Sequence, residues 1–340
     1  MKVLARLVSL LLVALLFILG VEGTQDALIA AEKAAEVKPA KVRWMLQEGI
    51  QLIPLEIMQK RGIAKKYQLQ IEPIIVAGPQ AIYTVMQTGD FDTAVASWIP
   101  TALLREKGHK VTVVYSLHGY TNDILVKTNS PIKSIADLKG KNIGIFGGPV
   151  AGTTWMLRLE LVKFFGFDPI KECNVNYGAP PIMMAMLEKG ELDAILMLDP
   201  QGVRMMETGN FRSIGNMSEI WHKNTGQYPL HLCLIMNETW ANKNIEVAKR
   251  FIAAYKETLG YLRSHAEIWP EWVKGAGIKT EQGAKLFRER TTNFFFIAKW
   301  DQQFINDQYA LANEISKVFG EAEGFPKKIP DGTFTTAYEK

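Results

Sequence analysis

One order of secondary structure occurs twice along the chain, about a hundred residues apart, and this repeat limits the possible folds more than any other feature. Each copy alternates three strand-like runs with two helix-like segments, as β-α-β-α-β. The strand-like runs are 42–46, 69–76 and 93–96 in the first copy and 142–146, 174–177 and 194–196 in the second. Such units build parallel sheets. Two copies predict two similar lobes, whereas a solenoid needs at least three.

A short motif supports this interpretation because it occupies the same place in both copies. Gly89 to Asp92 leads into the third strand of the first copy, and Gly190 to Asp193 leads into the third strand of the second. Pro100 and Pro200 follow at matching distances, within one residue. The motif therefore predicts that both lobes are built in the same way.

Two further strand-like runs, 124–127 and 230–236, predict that the chain crosses between the lobes twice. We expect hinges near 119–123 and 224–229 at these crossings. The predicted domains are 41–120 with 228–340 as lobe I, and 121–227 as lobe II. The predicted fold class is therefore α/β, with two lobes that each contain a mostly parallel sheet flanked by helices and are joined by a two-strand hinge.

The first 23 residues differ from the rest. Lys2 and Arg6 precede an uncharged apolar run, 7–19, that is too short to cross a bilayer and ends in small residues. This pattern predicts a cleavable export signal at 1–23, and the alternative is an uncleaved membrane anchor. An N-terminal extension, 24–40, follows. We expect a mature protein in the periplasm.

Composition excludes several classes of protein. The chain is 48% hydrophobic and 22% charged, which is typical of folded domains rather than of disordered segments. Its 39 basic and 35 acidic side chains give a net charge of +4, too small and too evenly spread for a nucleic-acid surface. The two cysteines, Cys173 and Cys233, lie in apolar or strand-like surroundings, so two unpaired thiols are favoured over a disulfide.

No reactive motif is evident in the sequence. It contains no G-x-S-x-G nucleophile elbow, no phosphate-binding P-loop, no H-E-x-x-H and no cysteine pair at metal spacing. The glycines between Gly144 and Gly152 lack the G-x-G-x-x-G spacing, which favours a plain strand-to-helix turn over a nucleotide site. His118 and His222 lie near the expected hinges, but scattered single histidines are more typical of surface or hydrogen-bonded positions than of a metal site. We expect no cofactor, no metal and no catalytic residue.

The loops that follow the strands provide the candidate site. In open parallel sheets, ligands bind beyond the carboxyl ends of the strands, where helix N-termini present N–H groups. Two such edges facing each other would form a cleft that binds a small anion through N–H groups and hydroxyls, or stacks a flat organic body between Trp98 and Trp155. The predicted ligand-binding residues are Gln47, Gln51, Gln80, Ser97, Trp98, Tyr120, Asn122, Thr153, Thr154, Trp155, Tyr177, Asp199 and Tyr228.

Several of these segments resemble one family. The export signal, the run 77–80, the two Gly-acidic-apolar-Asp motifs and above all the segment 130–141 resemble the substrate-binding proteins of ABC importers for nitrate, sulfonates, taurine and thiamine precursors. The resemblance covers about 41–265. It implies a type II periplasmic receptor that closes around a small molecule and presents it to an ABC permease in the cytoplasmic membrane.

The expected partners are thus one small ligand and one permease, the charge excludes nucleic acid, and we expect a monomer. The run 152–156 departs from the small-residue turn and histidine-aromatic pair that many relatives have there. This departure argues against nitrate and taurine as the ligand, and the aromatic loops favour an organic acid, aromatic or heterocyclic. An organic acid, a sulfonate-like compound or a heterocyclic compound is the expected ligand. One rival hypothesis is an α/β enzyme, exported or similar to the related pyrimidine-synthesising enzyme, that acts on a small heterocyclic substrate. The other is a sensory or scaffold module without any small ligand.

Overall fold

The structure is a computed structural model, and it describes residues 38–47, 50–76, 79–295, 297 and 299–339. Residues 41–340 form one compact unit, and Met1–Ala40 is assigned to another. The predicted signal segment and all but the last three residues of the predicted extension lie outside the described residues, as do Ala77 and Gly78.

Ten strands are described. They are β1 (Ala40–Gln47), β2 (Leu69–Val76), β3 (Thr93–Ser97), β4 (Val111–Gly119), β5 (Asp123–Lys127), β6 (Asn142–Phe146), β7 (Asn174–Gly178), β8 (Ala194–Met197), β9 (Phe211–Asn216) and β10 (Leu230–Asn237). All six strands of the predicted repeat and both predicted crossing strands are confirmed within one or two residues.

The α-helices described in the same ranges connect these strands and form most of the C-terminal part. They are α1 (Ile53–Lys60), α2 (Ile63–Lys66), α3 (Pro79–Thr88), α4 (Trp98–Glu106), α5 (Gly152–Phe165), α6 (Pro169–Glu172), α7 (Pro180–Lys189), α8 (Gln201–Met206), α9 (Met217–Thr225), α10 (Glu238–Lys243), α11 (Ile245–Ser264), α12 (Trp269–Gly275), α13 (Glu281–Arg290) and α14 (Gln302–Val318). Short 3-10 turns lie at Ile50–Leu52, Ile135–Leu138, Ala266–Ile268 and Glu321–Glu323, and a π-helical turn at Thr291–Phe295. No helix among the described residues is long and apolar enough to span a membrane.

The strands form two five-stranded sheets of matching topology. The first has the order β2-β1-β3-β10-β4 and the second the order β7-β6-β8-β5-β9. In the first, β1 and β3 are parallel while β10 runs antiparallel to both β3 and β4. In the second, β6 is parallel to β7 and β8 while β5 runs antiparallel to both β8 and β9. Each sheet is thus mostly parallel, and its antiparallel member is a crossing strand.

The repeated motif has one structural role in both lobes. Gly89 and Gly190 end α3 and α7 with φ of +75° and +80°, a left-handed conformation that glycine adopts without strain. The last residue of each motif then accepts a main-chain N–H from the first strand of its own copy of the repeat: Asp92 from Arg43 at 2.8 Å and Asp193 from Asn142 at 2.9 Å. The motif is therefore a fold element that fixes the start of the third strand beside the first.

The C-terminal part contacts both sheets. Helix α11 packs on α1 and α2. Its residues Phe251 and Tyr255 also lie edge-on against the buried ring of Trp44 on β1. Helix α13, in contrast, packs on α8, and α14 packs on α5. The predicted placement of 228–340 in lobe I thus stays a prediction, because these later helices also contact elements of the second sheet. Cys173 and Cys233 are both free thiols, as predicted.

Candidate functional site

The candidate site lies where parallel strands of each sheet end, at one edge of that sheet. On the first sheet, β1 ends at Gln47 and β3 ends at Ser97. On the second, β6 and β8 run parallel in a register that pairs Ile145 with Leu196, so the loops that follow both strands leave from the same edge. Strand β5 begins at this edge, since Asp123 pairs with Met197 near the end of β8. The loops that follow these strands therefore collect at two edges, one on each sheet.

These two edges touch at one point. A Cβ atom placed on Gly152, the first residue of α5, would overlap the hydroxyl of Ser97 at the end of β3. The Tyr120 hydroxyl, from the link between β4 and β5, donates to the Gly152 carbonyl at 3.2 Å. Gly152 is therefore the residue whose small size allows the two sheets to approach, and Ser97, Tyr120 and Gly152 form the contact.

Helix α5 begins at this contact without a side-chain cap, because its N-cap residue is Ala151. The first N–H groups of an α-helix have no intrahelical partner and carry partial positive charge. The hydroxyls of Thr153 and Thr154 donate to the carbonyls of Phe146 and Gly148, at 3.2 and 2.6 Å, and so hold the loop to the helix. In this arrangement the main chain supplies the donors for an anion, and the threonine oxygens act as acceptors.

Tyr83 is part of the same contact, and the sequence analysis missed it. Its hydroxyl accepts the main-chain N–H of Ser97 at 3.3 Å, and burial raises the pKa of the Tyr83 phenol well above its usual value. The phenol is therefore uncharged and positions the end of β3. A tyrosine inside a helix gives no sequence signal for this role.

A cluster of charged side chains lies further along the edge of the second sheet. It consists of Asp123, Asp199, Glu219 and Arg290, and we call it the carboxylate cluster. Both guanidinium nitrogens Nη1 and Nη2 of Arg290 donate to the Asp123 carboxylate, the latter at 2.9 Å. Nη1 lies 3.7 Å from Asp199, and Nε lies 3.7 Å from Glu219. Three carboxyl groups thus share one guanidinium.

Burial and this surplus of acids shift the ionisation of the cluster. Burial, reinforced by the neighbouring Asp123 carboxylate, raises the pKa of Asp199 to about 8. Burial also raises the pKa of Asp123, although Arg290 and a 2.7 Å hydrogen bond from the Ser213 hydroxyl oppose it. Burial by itself would lower the pKa of Arg290, but the acids outweigh burial and raise it. Arg290 is therefore a permanent cation, and Asp199 is the group that titrates near neutral pH.

Several buried polar atoms near the strand ends of the two sheets have no hydrogen-bond partner, within the part of the chain that the structure describes. Most buried polar groups in proteins are hydrogen-bonded, so each exception calls for an explanation. Those at or next to strand ends are Ser97 Oγ, Asn122 Nδ2, both Asp199 oxygens, Gln201 Oε1, Asn216 Nδ2 and Ser218 Oγ. They include both donors and acceptors, as expected for a surface that binds a polar small molecule.

The predicted aromatic residues differ in their surroundings. Trp98 is buried, donates its indole N–H to the Leu230 carbonyl at 2.7 Å and packs near Phe334. Trp155 is buried between Phe319 and Phe325, with ring centroids at 5.6 and 5.3 Å. The two rings thus have different protein neighbours, and the stacking of a ligand between them stays a prediction.

The other predicted site residues lie around the contact. Asn122 is buried and accepts the Met217 N–H at its main-chain carbonyl, while Tyr120 stacks on His231 with centroids 4.3 Å apart. The rest are half-buried or exposed: Gln47, whose N–H is 3.4 Å from Gln51 Oε1, together with Gln80, Tyr177 and Tyr228, which stacks on His222. A ligand contact for any of them stays a prediction. Glu48 and Gly49, which follow Gln47 in the sequence, lie outside the described residues.

The structure adds residues that sequence reasoning did not select. Gly152 was seen only as one of several loop glycines, and Arg290 lies 167 positions from Asp123, its hydrogen-bonding partner. Among the described residues, no three His, Cys, Asp or Glu side chains are grouped so as to hold a metal ion. A cavity of about 710 Å³ between α12 and α13, lined in part by Trp269, Val273 and Ile278, contains none of the predicted site residues.

The chain is similar in sequence to a known protein family and to curated proteins. Residues 51–267 match the protein family described as NMT1/THI5 like. A curated relative, 4-amino-5-hydroxymethyl-2-methylpyrimidine phosphate synthase THI13 of Saccharomyces cerevisiae (strain ATCC 204508 / S288c), is 25% identical over 65% of this chain and 66% of its own length. The chain thus spans just under two thirds of that relative.

Two solved structures show the same fold. The alkanesulfonate-binding protein SsuA from Xanthomonas axonopodis pv. citri, bound to MOPS, has a TM-score of 0.70 and 18% identity over 88% of this chain and 99% of that one. The periplasmic aliphatic sulphonate binding protein SsuA from Escherichia coli has a TM-score of 0.68 and 21% identity, covering 87% and 96%. The two-lobed binding-protein fold predicted from the sequence is thereby confirmed.

Proposed function

Since this chain belongs to the NMT1/THI5-like family, we propose that it is an extracytoplasmic solute-binding protein. It captures one small organic or oxyanion ligand between its two lobes and delivers that ligand to an ABC importer in the cytoplasmic membrane. The proposal places the mature protein in the periplasm, as a monomer that meets the permease only when loaded. The names of the SsuA structures, which describe sulfonate binding, support this class of function.

The contact between Ser97 and Gly152 is the observation that carries the proposal. A receptor that encloses its ligand needs two walls that meet, and here the end of β3 meets the start of α5 with a hydroxyl, a helix N-terminus and the Tyr120 phenol. The Ser97 hydroxyl at this point is buried and has no hydrogen-bond partner among the described residues. Polar recognition without a reactive side chain is the chemistry of a binding site rather than of covalent catalysis.

The links between the lobes support a hinge. Only Tyr120 to Asn122 separate β4 from β5, and 226–229 separate α9 from β10. The first link joins strands of different sheets, and the second leads from α9, which follows β9 of the second sheet, to β10 of the first, so a few backbone rotations there would change the angle between the lobes. We propose that ligand binding favours the closed arrangement, because only that arrangement lets both edges contact the ligand.

Native mass spectrometry of the full-length protein, freshly purified, tests the function. We expect one small molecule per chain, released on unfolding and chemically unchanged after prolonged incubation. The matched variants are Ser97→Ala, which removes the hydroxyl at the contact, and Ser264→Ala, which removes an exposed hydroxyl at the end of α11. Occupancy should fall in the first variant and stay unchanged in the second.

Two outcomes would contradict the receptor function. If the bound molecule is converted during incubation, the alternative of an exported or THI5-like enzyme is favoured, in line with the synthase name of the yeast relative. If no molecule is bound, and no compound in a panel of small sulfonates, carboxylates and heterocycles raises the melting temperature, the protein is not a receptor of this class.

A further inference from the structure

The cavity between α12 and α13 lies apart from the candidate site. Its volume of about 710 Å³ falls within the range of about 300–1,000 Å³ that is typical of small-molecule sites. Neither the contact formed by Ser97, Tyr120 and Gly152 nor any member of the carboxylate cluster lines it. A molecule held in this cavity would therefore be additional to the ligand between the lobes.

The apolar wall of the cavity is fixed by its neighbours. Trp269 is buried and lies edge-on against Trp272 of its own helix, with ring centroids 5.3 Å apart, and against Phe287 of α13 at 6.3 Å. Ile278, between the two helices, is also buried, and Val273 is half-buried. The ring of Trp269 is thus held against both helices, and the wall exists without a ligand.

The turn between the two helices is anchored to the second lobe. The Glu207 carboxylate, just after α8, accepts the main-chain N–H groups of Lys279 and Thr280, both at 2.9 Å. The Thr280 hydroxyl in turn accepts the Gly283 N–H at 3.0 Å and caps α13. A site preformed in this way loses little conformational freedom when a molecule binds.

The charged side chains that line the cavity are mostly basic. They are exposed, and they comprise four bases and one acid: Lys274, Lys279, Lys285, Arg288 and Glu281. Among the described residues, Lys274 and Arg288 form no ion pair, and Lys285 reaches Glu289 only at 4.0 Å. This excess of positive charge favours an anion beside the apolar wall.

We propose that this cavity binds a small amphiphilic carboxylate. Its alkyl or aryl body lies against Trp269, Val273 and Ile278, and its carboxylate pairs with the basic side chains, of which Arg288 offers a planar fork that suits a carboxylate. A neutral apolar molecule would leave the bases unused, and a small inorganic anion would leave the apolar wall in water.

The recessed position of the wall favours a free molecule over a membrane surface. Trp269 and Ile278 are only 5% and 6% exposed. Binding to a bilayer requires apolar side chains that project into the lipid, whereas a single small molecule can enter a recess. The proposal therefore specifies a monomeric amphiphile in solution, and it does not depend on the receptor function.

Calorimetric titration of the full-length protein with octanoate, 1-octanol and acetate tests the proposal. We expect octanoate to bind about tenfold or more tightly than 1-octanol, as for a charge-assisted hydrogen bond. Acetate, which lacks six methylene groups, should bind at least about a hundredfold more weakly than octanoate.

Charge reversal in the cavity provides the matched comparison. In the double variant Lys274→Glu with Arg288→Glu, the affinity for octanoate should fall about tenfold or more, and its preference over 1-octanol should vanish. The control is Lys107→Glu with Lys189→Glu, which changes two exposed lysines that form no ion pair among the described residues and do not line the cavity. Its affinity should equal that of the wild-type protein.

Photolabelling locates the bound molecule in the wild-type protein, and so decides the matter even if the double variant unfolds. An octanoate analogue with a diazirine at the end of its chain should label residues between 266 and 288, and excess octanoate should prevent this. The proposal is wrong if the labels lie only elsewhere, if 1-octanol binds as tightly as octanoate, or if octanoate does not bind. Binding to phosphatidylglycerol vesicles without binding of octanoate would indicate a lipid surface and would overturn it as well.

Discussion

The two lobes share a scaffold and differ in the chemistry at their edges. Both sheets have the same strand order, and in both the aspartate of the Gly-acidic-apolar-Asp motif binds the first strand. Counting six residues on from each of these aspartates gives Trp98 in the first lobe and Asp199 in the second. Trp98 is a packing residue with a satisfied indole N–H, whereas Asp199 is a buried acid without a hydrogen-bond partner among the described residues.

The repeat thus preserves the contacts that support the strands, while the residues that follow each third strand differ. Sheet pairing and the motif hydrogen bonds are needed equally by both lobes. After the third strand, Trp98 packs near Phe334, whereas Asp199 lies 3.7 Å from Arg290 in the carboxylate cluster. Four measurements test this difference between the lobes.

Removal of Arg290 should have the largest effect on stability, because its guanidinium group pairs with the buried Asp123 carboxylate of the second lobe. We expect Arg290→Met to lower the free energy of unfolding by about 3–5 kcal/mol, the usual cost of leaving a buried charge without its partner. Urea denaturation measures it. The control Lys328→Met loses only an exposed ion pair, worth below about 1 kcal/mol. Equal losses in the two variants would contradict the assigned role of Arg290.

The two motif aspartates should differ in their importance although they make the same bond. Asp92 is buried and also accepts from Nε and Nη2 of Arg43, at 3.3 and 3.0 Å, whereas Asp193 is half-buried and binds the Asn142 N–H. We expect Asp92→Ala to cost about 2–3 kcal/mol and Asp193→Ala about 1 kcal/mol. Denaturation of the pair under one condition compares them, and a larger loss for Asp193→Ala would reverse the ranking.

A methyl group at the contact should force the lobes apart. We expect Gly152→Ala to lower stability by about 1–3 kcal/mol through overlap with the Ser97 hydroxyl. The double variant with Ser97→Ala should recover most of that loss, since only the hydroxyl lies too close. Gly260→Ala, on α11 with open space around it, is the matched control and should be neutral or slightly stabilising. No recovery in the double variant would mean that the overlap is not the cause.

The smallest expected effect is the change in stability with pH that Asp199 causes. The pKa of Asp199 is raised from 3.8 to about 8 on folding, so the stability it contributes is fully present below pH 3.8 and is lost as the pH rises towards 8. Between pH 6 and pH 7 the wild-type protein should lose up to about 1.4 kcal/mol relative to Asp199→Asn. Parallel pH profiles for the two proteins would show that Asp199 does not titrate in this window.

Much of the fold could be predicted, because strand and helix patterns are local. The predicted strands agree with β1, β2, β3, β6, β7 and β8 within a residue or two. The site could be predicted only as a set of loops, because which strand ends collect at one edge follows from parallel pairing. Within those loops, no local signal separates Ser97, which lies at the contact, from Gln80, which is exposed.

The two copies, the crossing strands and the motif that positions each third strand can be recognised in the sequence, since all of these depend on neighbours within about a hundred residues. The contact of Gly152 with Ser97, the place of Tyr83 at the end of β3 and the bond of Arg290 to Asp123 across 167 positions are visible only once the chain is folded. The physical reason is that burial and charge pairing depend on which surfaces meet in space, and chain packing sets those meetings. Asp199 shows this most clearly, because its carboxyl group acquired a pKa of about 8 from the acids and the burial that folding brought to it.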